Sequence, residues 1–246
     1  VRGRRHYGRW LLAAVVLLFL APFAFFLWPG PDLSQYRAGP PPKPWAAVAR
    51  QQAVWREQGS HRKVRFTYLP LEQVSDHLLV AILVGEDINF FHHKGVDLRA
   101  WPEVFRQWWE GRRLRGASTL SQQLAKNLFL SPRRSLWRKF LELRLALRLE
   151  RELGKRRILE LYVNIVEFGP GLYGAEAAAR SYFGCSAQAL DTNQAAALAA
   201  TIPAPSQDNP RTASPRFLVR REIIARRAVR AGWLYALVRQ VKQAQR

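Results

Sequence analysis

The stretch GEDINFFHHKGVD, residues 85–97, follows an uncharged apolar run, Leu78 to Val84, that reads as the end of a buried helix. Two adjacent carboxylates, Glu86 and Asp87, therefore fall at a helix C-terminus, where the negative end of the helix dipole disfavours them. Something has to hold them there. Three readings meet the pattern: a metal site shared with His92 and His93, a carboxylate of raised pKa acting as acid or base, or a solvated helix end with His93 hydrogen-bonded in a turn. A transition-metal site calls for histidines at helical i, i+4 spacing or for further histidines. Only His6, His61 and His77 remain in the chain, so the histidine supply speaks against zinc.

Moving outward, the chain has 246 residues, with 39 Lys and Arg against 18 Asp and Glu, a formal charge of +21. Such an excess points to a polyanionic partner: nucleic acid, an anionic membrane or a phosphate-bearing substrate. A single cysteine, Cys185, excludes an intramolecular disulfide framework. Residues 10–28, WLLAAVVLLFLAPFAFFLW, carry no charge, and about 20 apolar residues suffice to span a bilayer. Trp10 and Trp28 sit at the two ends, where interfacial aromatics are favoured. Arg2, Arg4, Arg5 and Arg9 precede the span and the first basic residue after it is Arg37, so residues 1–9 are expected in the cytoplasm and the bulk outside. The rival reading is a cleaved signal peptide, whose apolar core is usually shorter. Residues 29–45 are rich in proline and glycine and read as a linker, leaving 46–246 as the folded domain.

That domain is predicted to be mainly α. VRFTYLP, 64–70, is the one clear strand-like run. Ser75 is placed to cap the helix ending at Glu86, and Asp97 one running to about Glu110. Thr119 with Gln122 forms a capping-box pair, and Pro132 suits the first turn of a long helix stopping before Gly154.

Three further stretches carry polar groups of interest. In GASTLSQQLAKN, 116–127, Leu120, Leu124 and Leu128 form an apolar stripe, while Gln122, Gln123, Lys126 and Asn127 share the other side. Either that side is an ordinary solvated face, or it meets a polyhydroxylated or phosphorylated ligand beside a helix start. In RRSLWRKFLE, 133–142, Arg138 and Lys139 share a helix side with Glu142. A surface ion pair and a phosphate cradle both fit. The neighbouring Leu128, Phe129, Leu130, Leu136, Trp137 and Phe140 suit a surface that dips into a membrane interface. In KRRILELYVNIVEFGPGLYG, 155–174, Glu160, Asn164 and Glu167 fall on one face, for which packing is the better explanation, and the glycines allow close approach of a second element. AAALAATIPAPSQDNP, 195–210, reads as scaffold.

Taken in order, these stretches resemble the family-51 peptidoglycan glycosyltransferases. EDINFFHHKGVD is similar to the signature E-D-x-x-F-x-x-H-x-G-x-D, GASTLSQQLAKN to G-G-S-T-I-T-Q-Q-L-x-K-N, and RKFLE to R-K-x-x-E. KRRILELYVNIVEFGPGLYG resembles K-x-x-I-L-E-x-Y-L-N-x-x-x-x-G-x-G-x-x-G. The match covers about residues 65–210; Ala117, Leu120 and Ser121 depart from it. The resemblance implies a lysozyme-like, two-lobed α-helical domain behind the single transmembrane helix, with 128–142 in the smaller, membrane-dipping lobe.

It also implies roles. Glu86 would be the general base and Glu142 the second catalytic carboxylate. Asp87, Ser118, Thr119, Gln122, Gln123, Lys126, Asn127, Arg134, Arg138 and Lys139 would bind substrate, the cations surrounding the donor diphosphate. The implied cation is Mg²⁺ or Mn²⁺, with Asp87 and Glu142 offering hard oxygen ligands. Lipid II and the growing lipid-linked glycan strand are the expected partners, together with the bacterial inner membrane and other cell-wall synthases. The monofunctional branch is expected, since Ser60 to Lys63 is a lone S-x-x-K without S-x-N or K-T-G companions. Two rivals stand beside this. A lysozyme-like hydrolase or lytic transglycosylase would explain Glu86 but leave the cations near Glu142 without a diphosphate to hold. A tethered nucleic-acid-binding protein would explain the charge, but the topology puts the basic domain away from cytoplasmic DNA, so no nucleic acid is expected.

Overall fold

The computed structural model describes residues 30–100, 102, 106, 110, 118–131 and 135–244. The expected span 10–28, Arg134, Pro132 and most of the predicted helix to Glu110 lie outside the described residues. Among the described residues no helix is long and apolar enough to cross a membrane.

At the centre lies the helix announced by the apolar run. Helix α2, Asp76–Glu86, follows α1, Ala46–Glu57, and starts where expected: the Ser75 side chain accepts from the His77 backbone N–H. Every residue from Leu78 to Val84 is buried. A helix apolar on all sides has to be enclosed on all sides. Among the elements packed on it are α6 (Thr192–Thr201), α7 (Pro215–Arg230) and α8 (Gly232–Gln243). In α6 every residue from Ala195 to Ala200 is buried, and all but Leu198 are alanines, which lets neighbouring backbones come close. Helix α7 is capped by Ser214, has Pro215 in its first turn, and buries Phe217, Ile224 and Ala228 on one stripe.

The second packed pair is α3, Leu120–Phe129, against α4, Leu136–Ile165. The Thr119–Gln122 capping box forms in both directions, and Leu120, Leu124 and Leu128 are buried as their spacing predicts. Helix α4 begins at Leu136 instead of the Pro132 turn, because Ser135 caps it by accepting from the Arg138 N–H. Gly154 has φ 71° and ψ 171°, so the helix breaks there as expected. The helical path resumes at once and runs on to Ile165. Between α4 and α6 lies α5, Ala175–Phe183.

A three-stranded sheet completes the frame, with β1 (Arg65–Phe66), β2 (Glu167–Gly169) and β3 (Leu172–Tyr173) in the order β1-β3-β2. The pair β1/β3 is parallel and β2/β3 antiparallel. The strand expected over 64–70 is thus two residues long. Its continuation is held by side chains: Asn164 Oδ1 accepts from the Leu69 N–H at 2.8 Å, and its amide donates to the Leu69 carbonyl at 2.8 Å. Glu160 accepts from the Tyr68 hydroxyl and from the Leu71 N–H, and pairs with Arg157. Glu167 accepts from the Gly171 N–H inside the β2–β3 turn. The polar face of Glu160, Asn164 and Glu167 is therefore packing, as the sequence favoured.

The compact unit starts at Leu33, ahead of the boundary expected at 46. Leu33, Tyr36 and Trp45 are buried, and the Arg157 guanidinium donates to the carbonyls of Tyr36 and Gly39. The segment carries only the short 3₁₀ turn Ser34–Tyr36 followed by bends, yet its three large apolar side chains anchor it to the core. Gly171, at φ +70°, lies under Trp55: a Cβ there would sit 2.0 Å from the indole. Gly171→Ala should therefore destabilise the fold by about 3 kcal/mol, combining a left-handed backbone with overpacking. An unchanged denaturation midpoint would show that Trp55 does not lie there.

Candidate active site

Glu86 ends α2 with its side chain nearly buried, and both oxygens are engaged. Oε1 accepts from Arg220 Nη2 at 2.7 Å, and Oε2 accepts from the Gln123 amide at 2.8 Å. The same Arg220 nitrogen donates to the Gly85 carbonyl at 3.0 Å. One guanidinium thus neutralises the carboxylate and satisfies an orphan carbonyl of the helix end. Gly85 makes this approach possible, since a Cβ there would sit 3.1 Å from Ile224 Cδ1 on α7. Gln123 is aimed by Tyr162, whose hydroxyl donates to Gln123 Oε1 at 2.9 Å and leaves the amide nitrogen to donate to Glu86. Burial pushes the Glu86 carboxyl above its ordinary range. The Gln123 hydrogen bond, Arg220 and Lys126 pull the other way without overcoming it.

Asp87 has a different task. Its Oδ2 accepts from the Leu120 N–H at 2.8 Å and from His93 Nε2 at 3.0 Å. His93 Nδ1 accepts from the Gly95 N–H at 3.1 Å, so Nε2 is the nitrogen that donates to Asp87. The Thr119 hydroxyl donates to the Gly95 carbonyl at 2.6 Å. These contacts join residues 87–95 to the first turn of α3. His93 is the hydrogen-bonded turn residue weighed in the sequence, and His92 faces the Trp233 ring instead.

Glu86 opens onto a cleft of about 210 Å³ whose walls include Asp87, Asn89, Ser118, Thr119 and Arg227. Ser118 Oγ accepts from Lys139 Nζ at 3.3 Å, and the same ammonium lies 2.5 Å from Glu142 Oε1. Glu142 is buried; Lys139 is half exposed. Lys126 lies within electrostatic reach of both Glu86 and Glu142. Burial holds it below the ordinary lysine range, Glu142 and Glu86 draw it back up, and Arg138 and Arg50 press it down. A single ammonium therefore feels both carboxylates. Arg138 is half-buried on α4, while Trp137 and Phe140 beside it are 54% and 58% exposed.

Not every residue put forward takes the place expected of it. Gln122 is buried, with its carbonyl oxygen accepting from the Thr119 N–H in the capping box. Asn127 is half-buried on the following turn. Asp87 and Glu142 do not fit a resident Mg²⁺ or Mn²⁺: Asp87 is engaged by His93 and a backbone N–H, and Glu142 by an ammonium. Among the described residues no three His, Cys, Asp or Glu side chains gather as a metal site. Arg220, Arg227 and Tyr162 enter the site without having been singled out. The one available signal was Gly85, a small residue at the end of an otherwise bulky helix.

A buried carboxylate of raised pKa at a helix end, facing a cleft whose Ser118 is reached by the Lys139 ammonium, is an arrangement suited to acid–base chemistry. Sequence comparison is specific. A profile of the family described as Transglycosylase matches residues 51–229. The biosynthetic peptidoglycan transglycosylase of Nitrosomonas eutropha is 38% identical over 219 residues, 89% of each chain. That of Azoarcus sp. is 42% identical over 205 residues, 82% of this chain and 85% of its own. The protein of the same name from Nitrosospira multiformis is 46% identical over 151 residues, 61% of this chain and 66%, just under two thirds, of its own. The chain belongs to the transglycosylase family, the glycosyltransferases of peptidoglycan.

The clamp gives Asp87 a testable structural role. Asp87→Ala should cost about 3 kcal/mol of stability, because it leaves His93 and the Leu120 N–H without their buried acceptor. Arg226→Ala, whose partner Glu222 is as exposed as it is, should leave the denaturation midpoint nearly unchanged. Equal loss from both would remove Asp87 from its structural role.

Proposed function

We propose that the cleft polymerises lipid II into peptidoglycan glycan strands, with Glu86 as general base. The observation that supports this reading above all is that Glu86 lines an open cleft together with Ser118, whose hydroxyl accepts from the Lys139 ammonium that Glu142 holds. Glu86 accepts the proton of the acceptor sugar's 4-hydroxyl. The freed oxygen attacks the anomeric carbon of the growing strand opposite its diphosphate. The new C–O bond forms as the bond to undecaprenyl diphosphate breaks, inverting α to β, and the electron pair leaves with the diphosphate. Lys126, Arg134, Arg138 and Lys139 stabilise that developing charge. Glu142 fixes Lys139 in position.

The hydrogen bonds to Glu86 do not block this. Each carboxylate oxygen has capacity for a second donor, so both can hold their present partners while one receives a substrate hydroxyl. Burial makes Glu86 a stronger base than a free carboxylate, which suits proton abstraction. The same reading places the domain in the cell envelope, two-lobed and lysozyme-like, outside the inner membrane and anchored by residues 10–28. Exposed Trp137 and Phe140 then meet the lipid interface beside the donor's diphosphate. Other cell-wall synthases are expected to share the product strand.

Glu86→Gln should lower lipid II polymerisation by about 10²- to 10⁴-fold, the range for a general base, without shortening preformed strands in either form. Near-wild-type turnover would remove Glu86 as the base; solubilised cell wall without polymerisation would replace the reaction altogether. The pH profile follows the same carboxylate. Glu86 works only when deprotonated, and its pKa is raised, so the acid limb should lie above the ordinary glutamate range. Arg220 favours the ionised form, so Arg220→Gln should move that limb to still higher pH. A shift downward, or none, would refute the coupling.

A further inference from the structure

A second hollow, of about 390 Å³, shares no lining residue with the cleft at Glu86. Arg62, Lys63, Arg65 and Arg211 line it, with the aromatic side chains of Trp55 and Tyr182, and no carboxylate is among its lining residues. Several other cations of this domain meet carboxylates, as Arg220, Lys242 and Lys155 do. Among the described residues these four have none within ion-pair distance.

Two of the guanidiniums are held side by side by a neutral group. Ser181 Oγ accepts from Arg65 Nη1 at 3.2 Å and from Arg211 Nη2 at 2.9 Å, joining a strand residue to a loop residue. Arg211 also donates to the Ser181 carbonyl at 3.2 Å and lies over the Tyr182 ring, 5.3 Å from its centroid. The Tyr182 hydroxyl is tied to the Phe168 carbonyl at 2.7 Å. The floor requires glycine twice: a Cβ at Gly169 would sit 2.5 Å from the Tyr182 hydroxyl, and one at Gly171 2.0 Å from the Trp55 ring. Like charges are thus positioned together on a rigid floor with no counter-ion. Paired guanidiniums with free N–H groups match the oxygens of a phosphate in bidentate fashion.

We propose that this hollow is a second anion-binding site, built for a phosphate-bearing group and separate from the cleft in which glycosyl transfer is read. Its ligand is either a phospholipid headgroup or a phosphate group presented from solution; the chemistry recognised is the same. The probe is inorganic diphosphate, titrated calorimetrically into the full chain in non-ionic detergent. A Lys139→Ala background weakens the cleft's own contribution. Arg65→Gln with Arg211→Gln should weaken binding at least tenfold. Arg221→Gln with Arg226→Gln, the same charge change on the exposed side of α7, should alter it less than twofold. Ser181→Ala keeps every charge and releases the shared acceptor, and should weaken binding severalfold. Equal loss in both double variants would reduce the effect to net charge and overturn the site, as would binding unaffected by the first pair. Flotation with phosphatidylglycerol against phosphatidylcholine vesicles separates the sources. Lost capture on the anionic vesicles in the first pair assigns a headgroup; unchanged capture with lost diphosphate binding assigns a phosphate from solution.

Discussion

A carboxylate at the end of a buried helix meets two penalties together, loss of hydration and the negative end of the helix dipole. Arg220 offsets both by donating from one nitrogen to Glu86 and to the Gly85 carbonyl. Much of the surrounding architecture serves that contact. Helix α7 has to lie close against α2, which Gly85 permits and the buried stripe of Phe217, Ile224 and Ala228 enforces. The second oxygen depends in turn on Gln123, hence on the exact seating of α3. The Asp87–Leu120 and Thr119–Gly95 hydrogen bonds fix that seating.

Adjacent carboxylates consequently do unlike work because their neighbours differ. Asp87 is surrounded by donors that belong to the fold, a backbone N–H and a histidine whose other nitrogen is already committed. Glu86 is surrounded by a guanidinium and an amide, faces an open cleft, and remains more basic than a free glutamate because burial outweighs both. The backbone separates them as well: Glu86 is the last residue of the helix, whereas Asp87 has left the helical path, with φ −159° and ψ 75°.

Local signals in the chain were legible where one residue satisfies a neighbour. Ser75, the Thr119–Gln122 box, the leucine stripe of α3 and the break at Gly154 all take the places their spacing predicts. The resemblance carried Glu86 and the Lys139–Glu142 pair. Contacts between distant segments were not legible. Arg220 stands among several arginines on α7, and nothing in their spacing says which one reaches a carboxylate 134 residues earlier in the chain. The sheet escaped because strands of two and three residues are too short to show alternation, and because Asn164 takes over the hydrogen bonding of a missing partner. Gln122 looked like a ligand group for the opposite reason: a capping residue and a binding amide have the same composition, and only the observed bond to Thr119 tells them apart.

The cations around Glu142 pose the complementary problem. Lys126, Arg138 and Lys139 carry like charge on neighbouring turns of α3 and α4, and Arg138 already presses Lys126 toward its neutral form. Left alone, such groups would splay into solvent. Glu142, buried and 2.5 Å from the Lys139 ammonium, supplies the charge that keeps them gathered. Because Glu142 is shielded while Lys139 stays half exposed, the carboxylate sets the position of the cation without presenting its own charge to solvent. An anion arriving there meets ammonium and guanidinium groups first. The buried carboxylate at the cleft and the cations gathered at Glu142 are thus built on different contacts, with Lys126 as the group that registers both carboxylates.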